Sequence, residues 1–313
     1  MIVVAGEALI DLVPHGPTPA ATSAQLPALA PRRGGGPYNT ALALGRLGSP
    51  TTFCSRVSTD GFGAALIDGL QAAGVDTTLV QRGPEPTTLA VAEINADGSA
   101  GYVFYVDGTA DRLFQLPDAL PPATTALSLG TCSLVLEPGA TAYEQLLQRE
   151  AAHGVFTTLD PNVRPGLIAD PAAYRARFHR WLPHLNLLKL SVEDASWLTG
   201  SSDTAHAART WAASGPSAVV LTHGADGLTV YTQAGIELHV PAVAVDVVDT
   251  IGAGDTVNAA LLHRLAEHDA LSATALADLA PDVWRDILSF AARASALTCS
   301  RTGAEPPFAT ELS

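Results

Sequence analysis

The stretch Val243-Ala244-Val245-Asp246-Val247-Val248-Asp249-Thr250-Ile251-Gly252-Ala253-Gly254-Asp255-Thr256 joins two kinds of sequence. Its first six residues are mostly β-branched and apolar, and read as extended chain. After Thr256, apolar groups recur at helical spacing through Val257, Ala260, Leu261 and Leu265. Between them, Gly252 and Gly254 allow backbone N–H groups to turn toward one point, where the helix start adds partial positive charge. Such a turn suits an anion. Asp255 would repel a phosphate as a mere receptor, but it suits a general base that takes the proton of an attacking alcohol. The other reading is an N-cap aspartate with glycines serving a tight turn.

The run Asp249 to Asp255 resembles the signature of the ribokinase family of sugar kinases, the phosphofructokinase-B type, which reads Asp-Thr-x-Gly-Ala-Gly-Asp; every position matches. The resemblance implies that Asp255 is the catalytic base and that the amides of Gly252, Ala253 and Gly254 form the anion hole. It implies an ATP-dependent kinase with Mg²⁺. Many members also bind a monovalent cation such as potassium, and Asp249 and the Ile251 carbonyl occupy the matching positions.

Outward from this motif, hydrophobic strands alternate with helical patterns: Ile2 to Gly6, Thr51 to Val57, Ala126 to Cys132, Val155 to Asp160, Leu185 to Leu190 and Ala218 to Thr222. The alternation predicts an α/β fold with a mostly parallel sheet covered by helices. Two stretches interrupt it. Residues 12–33 are rich in proline and alanine, and residues 87–107 read as a hairpin turning at Asp97-Gly98. Together they predict a small β lid, too short to stand alone. The resemblance implies a ribokinase-like three-layer α/β/α domain over residues 1–313, with a lid that in this family closes over the sugar and often forms a homodimer contact.

Composition narrows the function. A 47% hydrophobic content supports a full core, and a formal charge of −14 leaves no basic patch for nucleic acid or anionic lipid. No apolar run reaches membrane-span length, and the first residues lack a basic signal-peptide region. Cys54, Cys132 and Cys299 are odd in number and form no Cys-x-x-Cys pair, which argues against disulfides or zinc and for the reducing cytoplasm. The histidines show no ligand spacing, and no Gly-x-Ser-x-Gly elbow or full dinucleotide fingerprint is present.

Four further motifs complete the expected site. Gly34-Gly35-Gly36-Pro37-Tyr38-Asn39 precedes a helix and is similar to the family's Gly-Gly-x-x-x-Asn signature, placing Gly35, Gly36 and Asn39 on sugar hydroxyls. The resemblance adds Asp11, whose carboxylate can accept two hydrogen bonds from a diol; a polar strand terminus is the plainer reading. Tyr105, in the hairpin, joins this substrate set. Asp160-Pro161-Asn162-Val163-Arg164 follows a strand and is similar to a run in fructokinases and 2-keto-3-deoxygluconate kinases. It offers Asn162 to the sugar and Arg164 for charge stabilisation, or else a surface arginine in a rigid loop.

Thr222-His223-Gly224-Ala225-Asp226-Gly227 resembles the family's nucleotide-phosphate loop, through Thr222, Gly224 and Gly227. Lys189, the chain's single lysine, is either a point charge for phosphate or an ordinary residue. Ser191-Val192-Glu193-Asp194 stands where the family has Asn-x-x-Glu, so Ser191 falls to the nucleotide and Glu193 or Asp194 to Mg²⁺. The expected reaction is phosphorylation of D-fructose; 2-keto-3-deoxygluconate is the runner-up, then ribose or a nucleoside. From another class, a sugar-binding sensor without catalysis would also carry these motifs.

Overall fold

The computed structural model describes residues 1–15, 28–94 and 100–312. Its strands in chain order are β1 (Ile2–Ala5), β2 (Leu9–Pro14), β3 (Leu29–Gly34), β4 (Thr51–Ser58), β5 (Val80–Gly83), β6 (Leu89–Ile94), β7 (Ala100–Tyr105), β8 (Ala126–Gly130), β9 (Phe156–Asp160), β10 (Leu187–Ser191), β11 (Ala218–Thr222), β12 (Leu228–Thr232) and β13 (Glu237–Val240). The helices are α1 (Gly36–Arg46), α2 (Gly61–Ala72), α3 (Gly139–Ala152), α4 (Pro171–Trp181), α5 (Val192–Thr199), α6 (Thr204–Ser214), α7 (Ala253–Glu267), α8 (Ala273–Ala277) and α9 (Pro281–Cys299).

The large sheet runs β13-β12-β11-β10-β9-β8-β1-β4-β5. From β11 to β5 every pairing is parallel, while β12 and β13 extend the edge as antiparallel strands. The parallel strands read as continuous apolar runs because helices cover both faces. Alternation along β1 divides the core: Ile2 and Val4 join a cluster with α1, α7 and α9, whereas Val3 and Ala5 join one with α3, α4 and α6. Trp284 and Trp181 are fully buried on these two sides. Burial of such side chains, at roughly 1.5–3 kcal/mol for a large apolar group, holds the three layers together.

A second sheet, β3-β2-β6-β7, is built from the stretches expected to form a lid. Its entry is pinned by Asp60, which accepts from the Thr87 N–H at 2.9 Å and hydroxyl at 2.7 Å. Buried Asp111 accepts from Thr88 and Thr109 beside it. The expected turn at Asp97-Gly98 lies outside the described residues. The segment 243–248, expected to be extended, forms no strand and bends at Val248, and Val247 and Val248 are 65% and 60% exposed.

Helix α7 crosses the middle of the molecule. Residues 255–262 are all buried, and polar ties fix the helix on three sides. Thr256 meets Thr298 of α9 at 2.9 Å, Asn258 donates to Ser128 of β8 at 3.1 Å, and Thr40 of α1 donates to the Asp255 carbonyl. Its N-terminus therefore stands at a fixed place beyond the carboxyl ends of the parallel strands, where open α/β sheets bind ligands.

Candidate active site

A cavity of about 780 Å³ opens there, between the strand ends and the lid. Every residue singled out from the sequence lines it except Tyr105: Asp11, Gly35, Gly36, Asn39, Asn162, Arg164, Lys189, Ser191, Glu193, Asp194, Thr222, Gly224, Gly227, Asp249, Ile251, Gly252, Ala253, Gly254 and Asp255. Tyr105 is 60% exposed, and its place is corrected by the phase of β7: Tyr102 and Phe104 line the cavity, Tyr102 while still 38% exposed, whereas Val103 and Tyr105 do not line it. Side chains alternate along a strand, so the neighbours of Tyr105 face inward.

Asp255 is the third residue of α7 and is 7% exposed. Burial pushes its carboxyl up to about 7; Asp160 adds to the rise, whereas Asn39, Lys189 and Arg164 oppose it. Asn39 donates from Nδ2 to Asp255 Oδ2 at 2.8 Å, a bond across 216 residues of sequence. Asn39, expected on a sugar hydroxyl, thus holds the carboxylate, and its own buried Oδ1 has no hydrogen-bond partner among the described residues.

The start of α7 is open. Gly252 caps it in the left-handed region, φ 76°, and supplies no side-chain acceptor. A Cβ there would come within 2.6 Å of the Ala304 Cβ, so only glycine fits the turn. The Ala253 N–H turns back to the Thr250 carbonyl at 3.2 Å, which shifts the open donors toward Gly254 and Asp255. Lys189 Nζ would lie only 3.0 Å from a Cβ at 254, so the ammonium sits against the helix start. Lys189 is buried and paired with Asp160 at 2.7 Å.

Around this centre, Arg164 donates to Asn162 Oδ1 at 2.6 Å, and Asn162 holds φ 36° at the turn after β9. Asp11 lies across the cavity, its carboxyl pushed up to about 6 by burial against the pull of Arg164. Asp249 is occupied by the Ile251 N–H at 3.0 Å and the Gly303 N–H at 2.9 Å, tying the motif to the chain's last segment. Ser191 and Asp194 form a complete capping box on α5, and Asp194 also accepts from Val163 N–H at 2.9 Å. The Ser-x-x-Asp departure is thus a sound helix cap. No cluster of three or more metal-ligating side chains occurs among the described residues, which leaves Glu193 and Asp194 as carboxylates beside the cavity.

The pattern of pfkB family carbohydrate kinases matches residues 1–311. The chain belongs to the pfkB family of carbohydrate kinases. This kinase is 40% identical to a fructokinase of Rhizobium leguminosarum bv. trifolii over 282 residues, 89% of this chain and 84% of that one. It is 33% identical to a fructokinase of Klebsiella pneumoniae, covering 96% and 94% of the two chains. Among solved structures, the Xylella fastidiosa fructokinase with bound ATP superposes with a TM-score of 0.88 at 28% identity, covering 99% of this kinase and 96% of that chain. A double mutant of Vibrio cholerae fructokinase holding fructose, ADP and potassium superposes at 0.79 with 25% identity, over 97% and 93%. The ribokinase-like α/β architecture expected from the motifs is the fold of these kinases. No helix among the described residues is long and apolar enough to cross a membrane.

Sequence reasoning missed Tyr102, Phe104, Thr131, Cys132 and Glu7, all of which line the cavity. No local signal separates the lid pair from Val103 and Tyr105, which are equally apolar, and the others stand at strand ends brought together only by the fold.

Proposed function

We propose that this kinase transfers the γ-phosphoryl group of ATP to the primary 6-hydroxyl of D-fructose. Asp255 takes the hydroxyl proton, the oxygen forms its bond to phosphorus, and the bond to the β-phosphate bridging oxygen breaks to release ADP. One observation carries the reading: a buried carboxylate with its pKa near neutrality stands at an uncapped helix start, beside the buried cation Lys189. The amides at the head of α7 and Arg164 disperse the transferring charge, while Lys189, Thr222, Gly224 and Gly227 hold the nucleotide phosphates. Asp11, Asn39 and Asn162 hold the sugar under Tyr102 and Phe104.

Mg²⁺ bound with the nucleotide would neutralise phosphate oxygens. Glu193 and Asp194 suit it through water, because Mg²⁺ keeps several of its waters and needs few direct carboxylates. The Ile251 carbonyl and Asp249 are the groups for a monovalent cation, in line with the potassium of the Vibrio cholerae structure. The exposed Val103 and Tyr105 on the lid are where a second copy would pack.

Fructose is favoured over a 2-keto-3-deoxy acid by the cavity's cations. Arg32 and Arg33 lie exposed on β3 and do not line it, so a sugar carboxylate would find Arg164 and little else. ADP release with ATP and Mg²⁺ should be strong on fructose and at least about tenfold weaker in kcat/KM on the keto acid, the equivalent of about one hydrogen bond left unmade. The reverse preference would move the assignment to the acid. Fructose binding with no ADP released would make the protein a sensor.

A further inference from the structure

Glu7 follows β1 at the sugar end of the cavity and is 1% exposed. No ion pair reaches it among the described residues. Burial pushes its carboxyl up to about 7, Asp111 adds a small repulsion, and hydrogen bonds oppose the rise. A buried carboxylate without a cation is costly to keep, and neither phosphoryl transfer nor the core calls for one at this position.

Its two oxygens reach different elements. Oε1 accepts the Gly36 N–H at 3.2 Å, and Oε2 accepts the Ser133 N–H at 3.0 Å. Gly36 opens α1, whose N-cap Gly35 supplies no side-chain acceptor; Ser133 lies in the helical turn Thr131–Leu134, whose N-cap Gly130 supplies none either. One carboxylate therefore completes two starts that have no cap of their own. Both starts line the cavity, through Gly36 and Asn39 on one side and Thr131 and Cys132 on the other. The seam between them is tight: a Cβ on Gly36 would approach the Thr131 hydroxyl to 2.3 Å.

We propose that Glu7 is a positioning residue of the sugar site, a splint that fixes the spacing between the glycine turn of α1 and the 131–134 turn. The proposal rests on the reading that this end of the cavity holds the sugar. It differs from a role in catalysis, because Glu7 touches backbone amides rather than the reacting groups.

The test is Glu7→Gln, whose amide can accept one N–H but turns a donor toward the other. In this variant the fructose KM should rise about tenfold or more, the equivalent of one lost hydrogen bond to a charged group. The ATP KM should stay within about twofold and kcat within about threefold of wild type. Hydrogen exchange at Gly36 and Ser133 should quicken in the sugar-free protein. Glu7→Asp, too short to span both amides, carries the same expectations if the glutamine variant does not fold. An unchanged fructose KM with unchanged exchange at both amides overturns the assignment, as does a parallel loss in both KM values and kcat. Wild-type silence on fructose would instead overturn the substrate reading, and the exchange data alone would then decide the role of Glu7.

Discussion

Two helices begin at the same edge of the large sheet and are finished in opposite ways. Helix α5 is closed: the Ser191 hydroxyl accepts the Asp194 N–H at 3.0 Å, and Asp194 returns to the Ser191 backbone. Helix α7 is open, capped by a left-handed glycine with no side chain to offer. A helix start satisfied from within has little left for a ligand, whereas an unsatisfied one facing a cavity offers oriented donors to an anion. The contrast supports the proposed division, in which Gly252 to Asp255 face the reacting groups while Ser191 and Asp194 finish a helix start and Asp194 meets Mg²⁺ only through water. The open start also leaves Asp255 buried with Asn39 as its hydrogen-bonding side chain, and burial outweighs that bond to hold its proton affinity near neutrality, as the proposed base requires.

Closing α7 should have the largest effect. Gly252→Val forces a β-branched residue into φ 76° and against Ala304, so the turn must move. We expect kcat to fall by about 10²–10³-fold, the loss seen when an anion-hole donor is removed; steady-state turnover near wild type would show that the open start is not used. Removing the bond to Asp255 comes next. Asn39→Leu deletes a hydrogen bond that lowers the Asp255 pKa, so the acidic limb of the kcat–pH profile should move upward. An unmoved limb would mean that Asn39 serves only the sugar.

The same electrostatics predict a change in stability. Because the folded pKa of Asp255 is raised, the protonated form favours folding, and the wild type loses that advantage as pH rises from about 4 to about 7. Asp255→Asn should therefore have a higher Tm than wild type at pH 8, with the gap closing toward pH 4; calorimetry at both pH values checks this. The smallest effect belongs to the closed helix. Ser191→Ala should cost about 1 kcal/mol of stability, as loss of an N-cap does. Denaturant unfolding would read it, and no loss at all would remove the distinction between the two starts.

The open start was legible in the sequence because its parts are contiguous, two glycines, a carboxylate and a helical repeat within one run, although the β-branched residues before them form no strand. Its surroundings were legible less evenly. Strands β1, β4, β8, β9, β10 and β11 announced themselves as apolar runs, and the lid as an interruption of their rhythm. The phase of β7 did not, because Tyr102 and Tyr105 are equally aromatic and only the cross-strand register decides which faces inward. Ser191 and Asp194 have the spacing of a capping box, a local signal that the family comparison overshadowed. The bonds of Asn39 to Asp255 and of Glu7 to Ser133 span 216 and 126 residues, and no local pattern carries a partner at that distance.

The most direct test of the central claim is the pH dependence of kcat/KM for fructose in wild type and Asp255→Asn at saturating ATP and Mg²⁺. The wild type should rise with pH through about 7 and then level off, and the variant should be about 10²–10⁴-fold slower with that rise gone. A variant that keeps wild-type turnover, or the same rise near pH 7, would contradict Asp255 as the base.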